Sequence, residues 1–271
     1  AFLQEVQPSA DPLHGELAAR VSQQFGLGHA CLDLSTLAPE LRQSAASLPW
    51  IDGPNSPLVL DGARLYLRRN WDAEQHIRAS ITTRLAQPCP VPENLKETLS
   101  QLFDTGAQTA APDWQKVACA LAARKRFTLI TGGPGTGKTT TVVRLLALLQ
   151  SDPARQHTPL RIALAAPTGK AAARLGESIA TAVQRLPEHL RQHIPTQAVT
   201  LHKLLQVRSN LAQDAVPELA VDLVVVDEAS MIDLDMMARL LTAVPLTAGL
   251  ILLGDKDQLA SVEAGAVMGQ L

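Results

Sequence analysis

The stretch that most constrains this 271-residue chain is residues 127–150. There an apolar run, Phe127-Thr-Leu-Ile-Thr131, passes through Gly132-Gly133-Pro134-Gly135-Thr136-Gly137 into Lys138-Thr139-Thr140 and a helical period reaching residue 150. Glycines at that density let successive backbone N–H groups turn inward about one centre, and the following helix adds its positive dipole end, so the junction is suited to holding phosphate oxygens. The spacing G-x-x-x-x-G-K-[ST] carries that meaning when a strand precedes it and a helix follows, and the residues predict both. Gly133, Pro134, Gly135, Thr136, Gly137, Lys138, Thr139 and Thr140 are therefore the expected nucleotide cradle. Lys138 would neutralise the outer phosphates, and the Thr139 hydroxyl would ligate Mg²⁺.

Three further apolar runs follow at residues 161–165, 222–226 and 249–253, separated by helical stretches. Four short runs apolar on both faces predict a mainly parallel sheet covered by helices, with ligands at the carboxyl ends of its strands. The third run ends in Asp227-Glu228. Adjacent carboxylates there suit a Mg²⁺ carboxylate, Asp227, and a residue that polarises an attacking water, Glu228. Their alternative use, capping the helix expected at 233–242, falls more naturally to Asp233. Together the two motifs indicate ATP hydrolysis with Mg²⁺.

The first hundred residues contain no catalytic pattern but do contain local structure. Leu13, Leu17, Val21 and Phe25 form one helical stripe. Residues 58–67, around Asp61-Gly62, read as a hairpin with a type I′ turn. Residues 71–85 resume a helical period, and 104–113 read as a linker. The expected organisation is thus a smaller, mixed, largely helical domain at 1–108 before an α/β domain at 109–271. The net charge of −2 conceals polarity: residues 114–208 carry +11 and residues 209–271 carry −8. A stretch that basic can attract polyanions. No apolar run approaches a membrane span, and three scattered cysteines, Cys31, Cys89 and Cys119, form no disulfide or metal framework, which fits a reducing cytoplasm. The chain lacks an initiating Met and reads as a piece of something longer.

Three other segments narrow the reading: Ala165-Ala-Pro167-Thr168-Gly169-Lys170 after the second run, Thr200-Leu-His202-Lys203, and Gly254-Asp255-Lys256-Asp257-Gln258 after the fourth. With the glycine loop, Asp227-Glu228 and Trp114-Gln115-Lys116, they resemble the ordered motifs of superfamily-one DNA helicases, whose first ATPase domain is RecA-like. The likeness is greatest to the RecD-type members, the alpha-subunit family of bacterial exonuclease V (RecBCD).

That resemblance implies 5′ to 3′ ATP-driven movement on single-stranded DNA, in a complex with RecB-like and RecC-like subunits that serves DNA repair and recombination. It implies that Gln115 reads the adenine edge, that Gln258 senses the γ-phosphate with Lys138 and Glu228 catalytic, and that Asp255 orients the loop carrying Gln258. Pro167, Thr168, Gly169, Lys170, Thr200 and His202 would meet DNA, all within the +11 segment. It also implies that residues 1–108 dock on a partner. The chain contains no second RecA-like domain with its arginine, so by itself it would scarcely turn over. From residue 112 onward the aromatics are Trp114 and Phe127, few for a single-strand binder. A P-loop ATPase of another lineage, or an assembly module, are the alternatives.

Overall fold

The computed structural model describes residues 3, 5, 8, 11–103, 112–133, 135–155, 157–206 and 216–255. Contacts divide the chain into two units, one built on Ala1–Ala79 with Met231–Ala238, the other on Ser80–Ser230 with Arg239–Leu259. The boundary expected near 108 lies outside the described residues. Residues from Ser80 belong to the second unit because the helix Leu95–Phe103 buries Leu95, Leu99, Leu102 and Phe103 in that unit's core.

In the first unit, α1 (Pro12–Gly26) begins where Pro12 sets φ and the Asp11 carboxylate accepts from the Leu13 N–H at 2.9 Å. Its predicted stripe buries Leu17 and Val21, joined by His14. Beside it lie α2 (Pro39–Ala45) and a three-stranded antiparallel sheet ordered β1 (Cys31–Asp33), β3 (Arg64–Leu67), β2 (Leu58–Asp61). The hairpin is present, but Asp61 pairs with Arg64, so the two turn residues are Gly62 and Ala63. Gly62 alone has positive φ, at 57°, which is the pattern of a type II′ turn and corrects the expected I′. The helix expected from Trp71 is α3 (Arg68–Ala86).

The second unit holds α4 (Leu95–Phe103), α5 (Trp114–Ala122), β4 (Phe127–Thr131), α6 (Lys138–Gln150), β5 (Ile162–Ala166), α7 (Gly169–Val183), β6 (Val199–Thr200), α8 (Leu201–Leu204), β7 (Leu223–Val226) and β8 (Gly249–Gly254); α9 (Leu234–Ala243), whose residues from Arg239 on belong to this unit, precedes β8. The sheet order is β4-β8-β7-β5-β6, parallel throughout. The predicted parallel α/β architecture is borne out, and its four apolar runs are β4, β5, β7 and β8. The two-residue β6 left no apolar run to read. β7 and β8 are buried along their whole length, which is why their sequences lack alternation.

One residue of this unit has no sequence signature. Arg84 is fully buried, and its guanidinium donates to the carbonyls of Pro245 at 2.9 Å, Leu241 at 3.1 Å and Val244. Those oxygens belong to the end of α9, where a helix leaves carbonyls without intrahelical partners, and to the turn leading to β8, where the Pro245 carbonyl also accepts from the Ala248 N–H at 3.0 Å. Burial lowers the pKa of Arg84, and this ring of carbonyls keeps the cation in place.

Candidate functional site

β4 ends in the glycine loop because the next residues cannot continue a strand: Gly135 and Gly137 take φ of 77° and 85°, a region in which a side chain is strained. Gly137 is the left-handed residue that opens α6. Gly132 is required for another reason, since a Cβ on it would stand 2.6 Å from the Thr136 hydroxyl oxygen. That hydroxyl donates to the Gly133 carbonyl at 2.8 Å, and the Gly132 N–H donates to the Gly254 carbonyl at 3.2 Å, tying the loop to β8. The Lys138 ammonium donates to the carbonyls of Gly132 and Gly133, the latter at 3.1 Å. Thr139 and Thr140 follow in the first turn of α6, half-buried. Pro134 lies outside the described residues.

Asp227 follows β7 directly, and its backbone N–H donates to the Ala165 carbonyl of β5. Burial raises the pKa of its carboxyl, while the Glu228 N–H, donating at 2.9 Å, and the charge of Lys138 pull it back. The phosphate-loop lysine and the β7 carboxylate are therefore electrostatic neighbours. Glu228 has a φ of 53°, a left-handed conformation that costs a non-glycine residue about 1 kcal/mol. Asp233 caps α9, accepting from the Met236 N–H at 2.7 Å, so the capping duty does not fall on Asp227 or Glu228. Asp255, after β8, is buried. Gln258 lies outside the described residues.

Gln115 stands in the first turn of α5, whose start is fixed by the Asp113 carboxylate accepting from the N–H groups of Gln115 and Lys116. Its side-chain amide donates to the Thr136 carbonyl at 3.2 Å and accepts from Arg144 at 3.2 Å. Asp113 falls at the end of the stretch expected to be a linker, and Arg144 within the helical period expected after Lys138. Both matter through partners that neither periodicity nor motif can show, although an Asp two residues before Gln115 is a cap signal that was available. Trp114 is 73% exposed.

At the far edge of the sheet, Ala166 pairs in register with Thr200, which brings the segments starting at Pro167 and at Thr200 side by side. The Thr168 hydroxyl caps α7 by accepting from the Ala171 N–H, and the Thr200 hydroxyl caps α8 by accepting from the Lys203 N–H, both at 3.2 Å. Gly169, Lys170 and His202 are exposed, and Pro167 is half-buried. From β4 to β6 is four strand spacings, about 19 Å.

A parallel sheet whose first strand opens through a glycine loop into a helix, with a carboxylate beside the loop's lysine, defines a P-loop nucleotide-binding protein. The chain belongs to the AAA domain family, whose model matches residues 115–264. Within that class its particular kinship is with RecD: residues 1–52 match the N-terminal domain of the RecBCD enzyme subunit RecD. Over 266 residues the chain is 42% identical to the RecBCD enzyme subunit RecD of Mycobacterium tuberculosis, covering 90% of this chain and 44% of that protein. With the RecBCD enzyme subunit RecD of Haemophilus influenzae the identity is 39% over 91% of this chain and 42% of that protein. With the ATP-dependent RecD2 DNA helicase of Deinococcus radiodurans it is 33% over 82% and 29%. The chain thus spans less than half the length of these relatives. Among the described residues no helix is long and apolar enough to cross a membrane.

Proposed function

We propose that this chain is the first motor portion of an ATP-dependent DNA helicase subunit of the exonuclease V type, moving 5′ to 3′ on single-stranded DNA during repair and recombination. The observation that carries the reading is the placement, at the carboxyl end of one sheet, of Lys138 with its charge on the half-buried Asp227. Lys138 and the loop Gly133–Thr140 bind the phosphates of ATP. The residues present fit Mg²⁺, since Asp227 is a carboxylate that burial leaves in want of a cation and Thr139 is the hydroxyl next to the loop lysine. Mg²⁺, held by Thr139 and Asp227, would supply charge neutralisation on the phosphates. Glu228 polarises the attacking water, Gln115 contacts adenine, and Gln258 couples the γ-phosphate to DNA.

The DNA backbone runs over Pro167, Thr168, Gly169, Lys170, Thr200 and His202, two of whose hydroxyls already fix the helix starts that offer backbone N–H groups to phosphate. Residues 1–108 dock on RecC-like and RecB-like partners, and the assembly works in the cytoplasm, in keeping with three free cysteines. The test is ATP hydrolysis by the full-length protein with and without single-stranded DNA, beside Lys138→Gln. Strong stimulation abolished by the substitution is expected, and turnover indifferent to DNA would point to another P-loop lineage.

A further inference from the structure

We propose that Arg144 is a positioning residue for the nucleotide site, acting through Gln115 on the peptide between Thr136 and Gly137. The proposal rests on the nucleotide-binding reading above and adds to it a part that no motif contains. Arg144 lies on α6, six residues beyond Lys138, and its guanidinium sits 4.5 Å from the centre of the Phe103 ring at the end of α4. Stacked there, it donates to the Gln115 Oε1 at 3.2 Å, while the Gln115 Nε2 donates to the Thr136 carbonyl at 3.2 Å.

The chemistry of the two partners fixes the amide. A guanidinium has donors and no acceptor, and a carbonyl oxygen accepts and cannot donate, so one of the two amide orientations satisfies both and the flipped one satisfies neither. Arg144 therefore decides which end of Gln115 faces the glycine loop. The consequence reaches the phosphate side because the peptide is trans: its C=O and N–H point to opposite sides, and no cis bond occurs among the described residues. With the Thr136 carbonyl held toward α5, the Gly137 N–H is turned away from α5, the orientation in which it can donate to a phosphate oxygen. Gly137 itself reports how close this brace is, since a Cβ there would stand 2.5 Å from the Gln115 Nε2. Each partner leaves the amide one donor hydrogen and one acceptor lone pair. An adenine edge presents an acceptor, N7, beside a donor, the N6 amino group, and can use both, so bracing the loop and contacting the base are compatible.

The two duties separate by using a ligand without a base. Calorimetric titration of the full-length protein with Mg²⁺-tripolyphosphate and with Mg²⁺-ATP would be compared for wild type, Arg144→Met, Arg144→Lys, Gln115→Ala and the Arg144→Met/Gln115→Ala double variant. Each single loss is expected to weaken tripolyphosphate about five-fold, the worth of roughly one hydrogen bond. The double variant should be no weaker than Gln115→Ala alone, because Arg144 acts through Gln115. Arg144→Lys, which keeps a donor, should recover part of the loss. Gln115→Glu serves as a second variant that keeps the acceptor for Arg144 and sets a carboxylate against the Thr136 carbonyl, and it should weaken tripolyphosphate as well.

Tripolyphosphate affinity unchanged in these variants while ATP weakens would overturn the proposal and leave Gln115 a base contact alone. Additive losses in the double variant would overturn the coupling. Loss of all binding in Lys138→Ala alongside indifference to residues 115 and 144 would remove the brace and spare the nucleotide site, whereas a wild type that binds neither ligand would sink both.

Discussion

The two edges of the five-stranded sheet are built from the same unit, a parallel strand running through a short loop into a helix, yet they are finished differently. At the β4 edge the loop is glycine-rich and its polar groups are gathered by side chains from elsewhere: Lys138 on two loop carbonyls and Gln115 on a third, with Arg144 behind it. At the β5/β6 edge Thr168 and Thr200 cap their own helices, and Lys170 and His202 stand in solvent. A braced loop presents one fixed set of donors, as a compact ligand of fixed geometry requires. Capped helix starts beside the exposed Lys170 suit an extended polyanion that has to be gripped and released.

The contrast can be broken in several places. The largest effect is expected from Lys138→Ala, which removes the charge proposed to meet the phosphates and should lower DNA-stimulated hydrolysis by about 10²-fold or more, while single-stranded DNA affinity measured without nucleotide stays within a factor of two or so. A parallel collapse of DNA binding would mean that the two edges are not separate. Next is Arg84→Met. It removes the guanidinium from the carbonyls of Leu241, Val244 and Pro245 and should cost the second unit about 3 kcal/mol in denaturant unfolding. β8 lies between β4 and β7, so nucleotide binding should fall before DNA binding does.

Thr168→Ala is a smaller change, about 1 kcal/mol of stability from the lost cap of α7. If the hydroxyl also meets phosphate, DNA affinity should drop by more in Thr168→Ala than in Thr168→Ser, which restores the cap. Smallest is Lys170→Ala, expected to weaken single-stranded DNA a few-fold and to lower the slope of log affinity against log salt by about one, with nucleotide affinity untouched. An unchanged slope would take Lys170 off the DNA path.

Much of this was legible along the chain because the signals are local. The glycine loop, the apolar runs, the Asp233 cap and the helix beginning at Lys138 each depend on residues within a few positions of one another, and the structure places them as read. The hairpin turn shifted by one residue because a II′ turn takes its positive-φ residue first, so Gly62 pairs with the following Ala63 and Asp61 stays in the strand. β6 was invisible because two residues held by pairing with Ala165 and Ala166 leave no periodicity to detect.

Sequence by itself therefore determined the class of fold, the strand that opens into the phosphate loop, and the identity of the carboxylate after β7, since backbone freedom at glycine and apolar burial are properties of short segments. Tertiary structure decided the rest. That Asp227 feels Lys138 across β8, that Ala166 and Thr200 share a register, that Arg84 closes a helix about 160 positions away, and that Arg144 sets the orientation of an amide 29 residues upstream are facts of strand order and packing. A hydrogen bond between residues distant in sequence is set by where the sheet brings their elements, and no periodicity in the chain records that order.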